Sequence, residues 1–179
     1  MTLFTNDNAR ITIANDGHCV FSNSIALSGE TAVANRLDDY EEGSFTCTIA
    51  PQTSGSVSLN SSYNQGSYTK IGNLVHVQAY LSVSGVSSPV GVLQVNGLPF
   101  SAADLADASG HARNVTAAYF NGGSPPDGSG YYNVQQYINE GQNFVRIYYM
   151  NASGRRIDGA VGLLANGSDI FLDLTYFAA

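Results

Sequence analysis

Four carboxylates fall within five positions: Asp38, Asp39, Glu41 and Glu42, around Tyr40 and just before Gly43. Such a cluster invites two chemistries. Two acids flanking a glycosidic bond can act as general acid and as nucleophile or base, and converging carboxylate oxygens can hold calcium. Both need fixed geometry, either acids opposed across a cleft or a loop with EF-hand spacing. Here the four acids share one short linker, no EF-hand pattern is present, and Arg36 and Arg10 are available as counter-charges. The spacing is that of a solvated or inter-subunit turn. The histidines are His18, His76 and His111, none within HExxH, and there is neither a GxSxG elbow nor a P-loop. His18 beside Cys19 is not a metal pair, because neighbours in an extended strand point to opposite faces. Cys19 and Cys47 lack CxxC or Cys/His ligand spacing; their spacing leaves a disulfide open, and two reduced, partly buried thiols are the expectation. No enzyme, metal or cofactor is expected.

The aromatic residues point to contact rather than catalysis. The chain has eleven tyrosines and no tryptophan. Tyr119, Phe120, Tyr131, Tyr132, Tyr137, Tyr148 and Tyr149 crowd around the segment Asn121 to Gly130 (NGGSPPDGSG). A tyrosine presents a flat apolar face with a hydroxyl, which suits sugar stacking and protein interfaces alike. Glycine lets a backbone approach closely, and Pro125-Pro126 stiffens the segment. A stretch this polar runs over a surface. Phe120, Asn121, Pro125, Pro126, Asp127, Tyr131 and Tyr132 are therefore the candidate surface contact, with a neutral glycan as the better match for so few charges.

Composition bounds the partners. Of 179 residues only 12% are charged, with seven Lys and Arg against fourteen Asp and Glu, a net charge of -7. That balance repels phosphate backbones and anionic lipid, which excludes nucleic acid and membrane surfaces as partners of a basic patch. Met1 to Arg10 has no apolar stretch of the secretory-signal kind, and no apolar run is long enough to span a bilayer. The expectation is a protein made in a cytosol.

The elements that must position these residues are strands. Asn73 to Val83 alternates strictly: Val75, Val77, Ala79, Leu81 and Val83 against His76, Gln78, Tyr80 and Ser82. Ile170, Leu172, Leu174 and Tyr176 repeat the pattern against Asp173 and Thr175, and Phe144 to Met150 is a third case. Weaker strands are Phe45 to Ala50, Ser56 to Leu59, Tyr68 to Ile71, Val90 to Val95, Asn114 to Phe120 and Tyr132 to Ile138. One short helical turn is expected over Ser101 to Ala108 (SAADLADA). Eight or nine strands at this spacing predict an all-β, antiparallel β-sandwich of jelly-roll type for residues 45–179. Residues 1–44 form an arm with two tiny strands around Asn15-Asp16-Gly17, too little to bury a core alone. Copies of itself are its simplest partners.

Four segments carry a family resemblance. Arg36 to Thr46 (RLDDYEEGSFT) resembles the LDDYEEGTWTP junction of bacteriophage tail-fibre and related virion appendage proteins. Tyr68 to Val75 (YTKIGNLV) is similar to the YTKIGNxV segment that follows it in those proteins, and Leu98-Pro99-Phe100 to their GLPF strand end. Arg10 to Phe21 resembles the shaft segments that precede the junction. Cys47 departs from the pattern, standing where the family often has proline, and the arm is far shorter than a full shaft. The resemblance implies a virion structural protein that forms a homotrimer. The arm would dock onto another virion protein through a junction of Arg36, Leu37, Asp38, Asp39, Tyr40, Glu41, Glu42 and Gly43. The head, exposed on the particle, would contact a host cell-surface glycan. A short tail fibre is the reading taken. A capsid decoration protein fits the short arm as well, and a small glycan hydrolase would need a catalytic constellation that the motifs do not supply.

Overall fold

The computed structural model describes residues 1–22, 25–26, 36–37, 39–106, 114–117, 119–121, 133–151, 153–158 and 160–179, as two units, Met1–Glu41 and Glu42–Ala179. In the first unit β1 (Thr2–Thr5) and β2 (Asn8–Ile13) pair antiparallel across Asn6-Asp7, both at positive φ, 48° and 60°. That is the conformation a two-residue hairpin turn requires, and Asn and Asp accept it best among side-chain-bearing residues. β3 (Cys19–Phe21) adds to β2, with Gly17 at φ 91° in the connection. β4 (Ile25–Ala26) pairs with β5 (Arg36–Leu37). None of residues 1–22 is buried; Leu3, Phe4, Val20 and Phe21 are all exposed.

The second unit holds β6 (Tyr40–Thr46, whose first two residues belong to the first unit), β7 (Thr48–Pro51), β8 (Ser54–Leu59), β9 (Gln65–Ile71) and β10 (Leu74–Val90). It continues with β11 (Leu93–Asn96), β12 (Asn114–Ala117), β13 (Tyr119–Asn121), β14 (Asn133–Ile138), β15 (Phe144–Met150), β16 (Arg156–Ile157) and β17 (Asp169–Phe177). One sheet runs β13-β17-β10-β9-β6, with β8 on the later half of β10. The other runs β12-β14-β15-β11-β7, with β16 on β15. The chain passes repeatedly between the two, and the strand pairs are antiparallel. The architecture is the all-β antiparallel sandwich that the alternation implies.

The core lies between the sheets. Val75, Val77, Leu81 and Val83 of β10 and Ile170, Leu172, Leu174 and Tyr176 of β17 are at most 2% exposed, facing Leu93, Val95, Val145 and Ile147. Phe45, Cys47 and Ile49 keep one alternation, yet the chain changes sheets at Cys47, so the single strand expected over Phe45 to Ala50 is two. Gly97, at φ 101°, allows that crossing: a Cβ there would lie 2.2 Å from the Thr46 carbonyl oxygen. Asn114 to Phe120 likewise divides, β12 into one sheet and β13 into the other. Val90 to Val95 also divides: Val90 ends β10, Gly91 turns at φ 105°, and β11 begins at Leu93.

The helical turn expected over Ser101 to Ala108 does not form among its described residues. Ala102 bridges Ala178, its N–H donates to the Gln142 carbonyl, and the Ala103 N–H donates to that of Phe177. The Ser101 and Ala102 carbonyls, which a helix would offer to residues 105 and 106, accept instead from the Ala179 and Gly141 N–H groups, and Ala102 and Ala103 are buried there.

Candidate functional site

Three of the resemblance segments converge. Gly43 lies in β6, where a Cβ would sit 2.7 Å from the Tyr68 ring. It is a strand residue kept bare to seat that ring, not a flexible hinge. The Tyr68 ring meets Phe100 edge-on at 5.3 Å, the Lys70 ammonium lies 5.5 Å above Phe100, and the Tyr176 hydroxyl donates to the Phe100 carbonyl at 2.9 Å. Burial raises the Tyr176 phenol to about 12. The glycine of LDDYEEG, the tyrosine of YTKIGN and the phenylalanine of GLPF thus form one packed corner where the chain enters the sandwich.

Of the junction residues, Tyr40 is exposed and begins β6, with Glu41, Glu42 and Gly43 following on the same strand. Arg36 and Leu37 form β5, while Asp38 lies outside the described residues. Of the candidate contact residues, Phe120 and Asn121 are in β13, paired with Ile170 and Asp169. Pro125, Pro126, Asp127, Tyr131 and Tyr132 lie outside the described residues, as does His111. The crowded tyrosines are not one surface. Tyr149 is in the core. Tyr137 and Tyr148 lie buried on the outer face of the second sheet under the Arg156 guanidinium, at 5.0 and 4.5 Å from their ring centres.

Among the described residues of the second unit, the exposed aromatics gather elsewhere, on the outer face of the first sheet. Register sets them in rows across β9, β10 and β17. At the end where β6 enters lie Ile71, Leu74 and Phe177, all exposed and apolar. Next come Thr69, His76 and Thr175, with the His76 Nδ1 3.1 Å from the Thr175 Oγ1. Then come Ser67, Gln78 and Asp173, where the Gln78 amide donates to the Asp173 carboxylate at 3.2 Å. The following row pairs Tyr80 with Phe171 at 4.9 Å between ring centres, and Tyr63 packs on Tyr80 at 5.4 Å. These three are 37%, 43% and 49% exposed. The Tyr80 hydroxyl donates to Asp169 Oδ1 at 3.0 Å, and that bond holds the phenol above its ordinary value. Six residues of β10 separate the apolar row from the aromatic one, roughly 20 Å at the rise of a strand.

Together Gln65, Ser67, Gln78, Tyr80, Phe171 and Asp173 line an open groove of about 560 Å³. Such a surface can stack a flat apolar ligand face and accept hydroxyl hydrogen bonds. The sequence reading missed it, because Tyr80 and Phe171 stand at ordinary alternating positions of two distant strands and Tyr63 lies in a turn.

No protein-family model and no curated protein matches the sequence. Among solved structures the chain is similar to the Dettilon tailspike protein (gp208), with a TM-score of 0.64 and 23% identity over 78% of this chain. The match covers 24% of the tailspike chain, so the likeness is to a part of that protein and establishes the fold.

Proposed function

We propose that this chain is a bacteriophage tail-associated structural protein, a short homotrimeric tail fibre whose sandwich head meets the host surface during adsorption. The observation that carries the reading is the sandwich itself, which it shares with part of a phage tailspike. The convergence of the three appendage-like segments at one corner supports it. Self-association is supported by an arm whose residues 1–22 include none that is buried, and by the exposed Ile71–Leu74–Phe177 row where the chain enters the head. Closed symmetry around such faces would cover them. The arm then docks to another virion protein, and the head stands outward on the particle. Assembly takes place in the host cytoplasm.

The role is adhesive rather than hydrolytic. Asp169 and Asp173 lie along one face of the single strand β17 rather than opposed across a cleft. Glycosidase carboxyl pairs flank the bond they cleave. Mass photometry of the full chain, together with competition by the purified protein against phage adsorption to host cells, tests the proposal. A trimer that blocks adsorption is expected; a stable monomer at micromolar concentration, or a protein that leaves adsorption unchanged, refutes it.

A further inference from the structure

We propose that the groove edged by Tyr63, Tyr80 and Phe171 is a binding site for an uncharged, hydroxyl-rich glycan. The inference rests on the host-contact reading and gives it a place and a ligand class.

The aromatic edge is preorganised. Tyr80 is held between Tyr63 and Phe171, and its hydroxyl is tied to Asp169. A platform already fixed by packing loses little rotamer entropy when a ligand lands on it. The polar row beside it is equally ordered, with the Gln78 amide set against Asp173 and Ser67 opposite on β9. Sugar rings ask for this pairing: an apolar C–H face wants an aromatic surface, and the ring hydroxyls want amide and carboxylate partners in a row alongside. A groove of about 560 Å³ is within the range of small-ligand sites.

Charge narrows the ligand. The lining includes the Asp173 carboxylate and neither lysine nor arginine, and Asp169 stands beside Tyr80. Uronic acids, sialic acids and phosphorylated sugars would meet these carboxylates, with the His76 imidazole, its Nδ1 4.0 Å from Asp173 Oδ1, as the basic side chain in the adjoining row. A trimer that set this face on its three-fold axis would bring identical carboxylates together. The apolar row at the opposite end of the same face carries no such charge.

Saturation-transfer NMR on the full-length protein tests the site. The neutral probes are maltoheptaose, mannohexaose, galactohexaose and N-acetylchitohexaose; the anionic probes are a polysialic acid oligomer and a hyaluronan hexasaccharide. We expect transfer to at least one neutral probe, none to the anionic ones, and at least a tenfold loss of affinity in Phe171→Ala and Tyr80→Ala. Both side chains face outward, so the head should stay folded and oligomer size should hold, with Tm lowered only by the lost cross-strand ring contacts. Gln78→Ala, at an exposed outer-face position, provides a second variant and should weaken binding severalfold. Silence from every neutral probe, preference for an anionic one, or variants that bind like the parent would overturn the site. So would a change in oligomer size in Phe171→Ala with the head still folded, because the face would then lie between copies. Binding of labelled protein to host cells separates the two levels of the argument. If Phe171→Ala binds cells as the parent does, the groove is wrong and host contact stands; if the parent does not bind cells, host contact itself fails.

Discussion

Replacing Gly43 by alanine should destabilise the head, and the loss should vanish when Tyr68 is removed. The new Cβ would lie 2.7 Å from Cε1 and the hydroxyl oxygen of Tyr68 and 2.8 Å from Cζ. Ordinary van der Waals contact begins near 3.4 Å, so the ring must retreat by about 0.7 Å. It cannot do so freely, because its other side is set edge-on against Phe100 at 5.3 Å and packed on the core. Overpacking of this kind costs about 1–3 kcal/mol. With Tyr68→Ala in place the clash is gone. Gly43 is not among the glycines at positive φ, so alanine there should then stabilise by about 0.4–1 kcal/mol through the unfolded chain. The substitution thus changes sign between the two backgrounds, a coupling of about 1.5–4 kcal/mol. Urea unfolding of the parent, both single variants and the double variant, followed by far-ultraviolet circular dichroism at one protein concentration, measures it. An equal loss in both backgrounds would mean that Tyr68 is not what keeps position 43 bare.

Leu81→Ala should cost about 2–5 kcal/mol, because Leu81 is fully buried between the sheets, whereas Gln78→Ala on the outer face should stay within about 0.5 kcal/mol; similar losses in urea unfolding would show the strand register to be wrong. Burial raises the Cys47 thiol from 9.0 to about 12, while Cys19 is exposed. Only about one Cys47 in ten thousand is then a thiolate at pH 8, so a disulfide reagent should titrate one thiol in the native protein and two in urea; two in the native state would refute the burial. Between pH 9 and 12 the folded protein keeps that proton and the unfolded chain releases it. Stability should therefore fall as pH rises, by up to about 1.4 kcal/mol per pH unit from this group. Tyr176, raised from 10.0 to about 12, adds its own loss above pH 10. Cys47→Ala should flatten the slope between pH 9 and 10, seen as urea midpoints across that range.

What the sequence determined by itself is local. A strand buries one face by a period of two, so Val75, Val77 and Leu81 could be assigned to the core, and His76 and Gln78 to the outside, without knowing what covers them. Turn chemistry is local too, which is why Asn15-Asp16-Gly17 marked a hairpin. Strand ends were less legible. Phe45, Cys47 and Ile49 keep perfect alternation while the chain leaves one sheet for the other, because both sheets share the core that those residues face. The short helix expected over Ser101 to Ala108 failed for a related reason: its cap signal is local, but the carbonyls of Ser101 and Ala102 that would close its first turn are taken by Ala179 and Gly141, far along the chain. Only the tertiary structure could bring Gly43 under Tyr68 and Tyr68 against Phe100, or set Tyr80 beside Phe171. The last pair are 91 residues apart and meet through one register of β10 against β17. A shift of that register by two residues would keep every buried side chain buried and dismantle the groove, so no alternation pattern in either strand could reveal it.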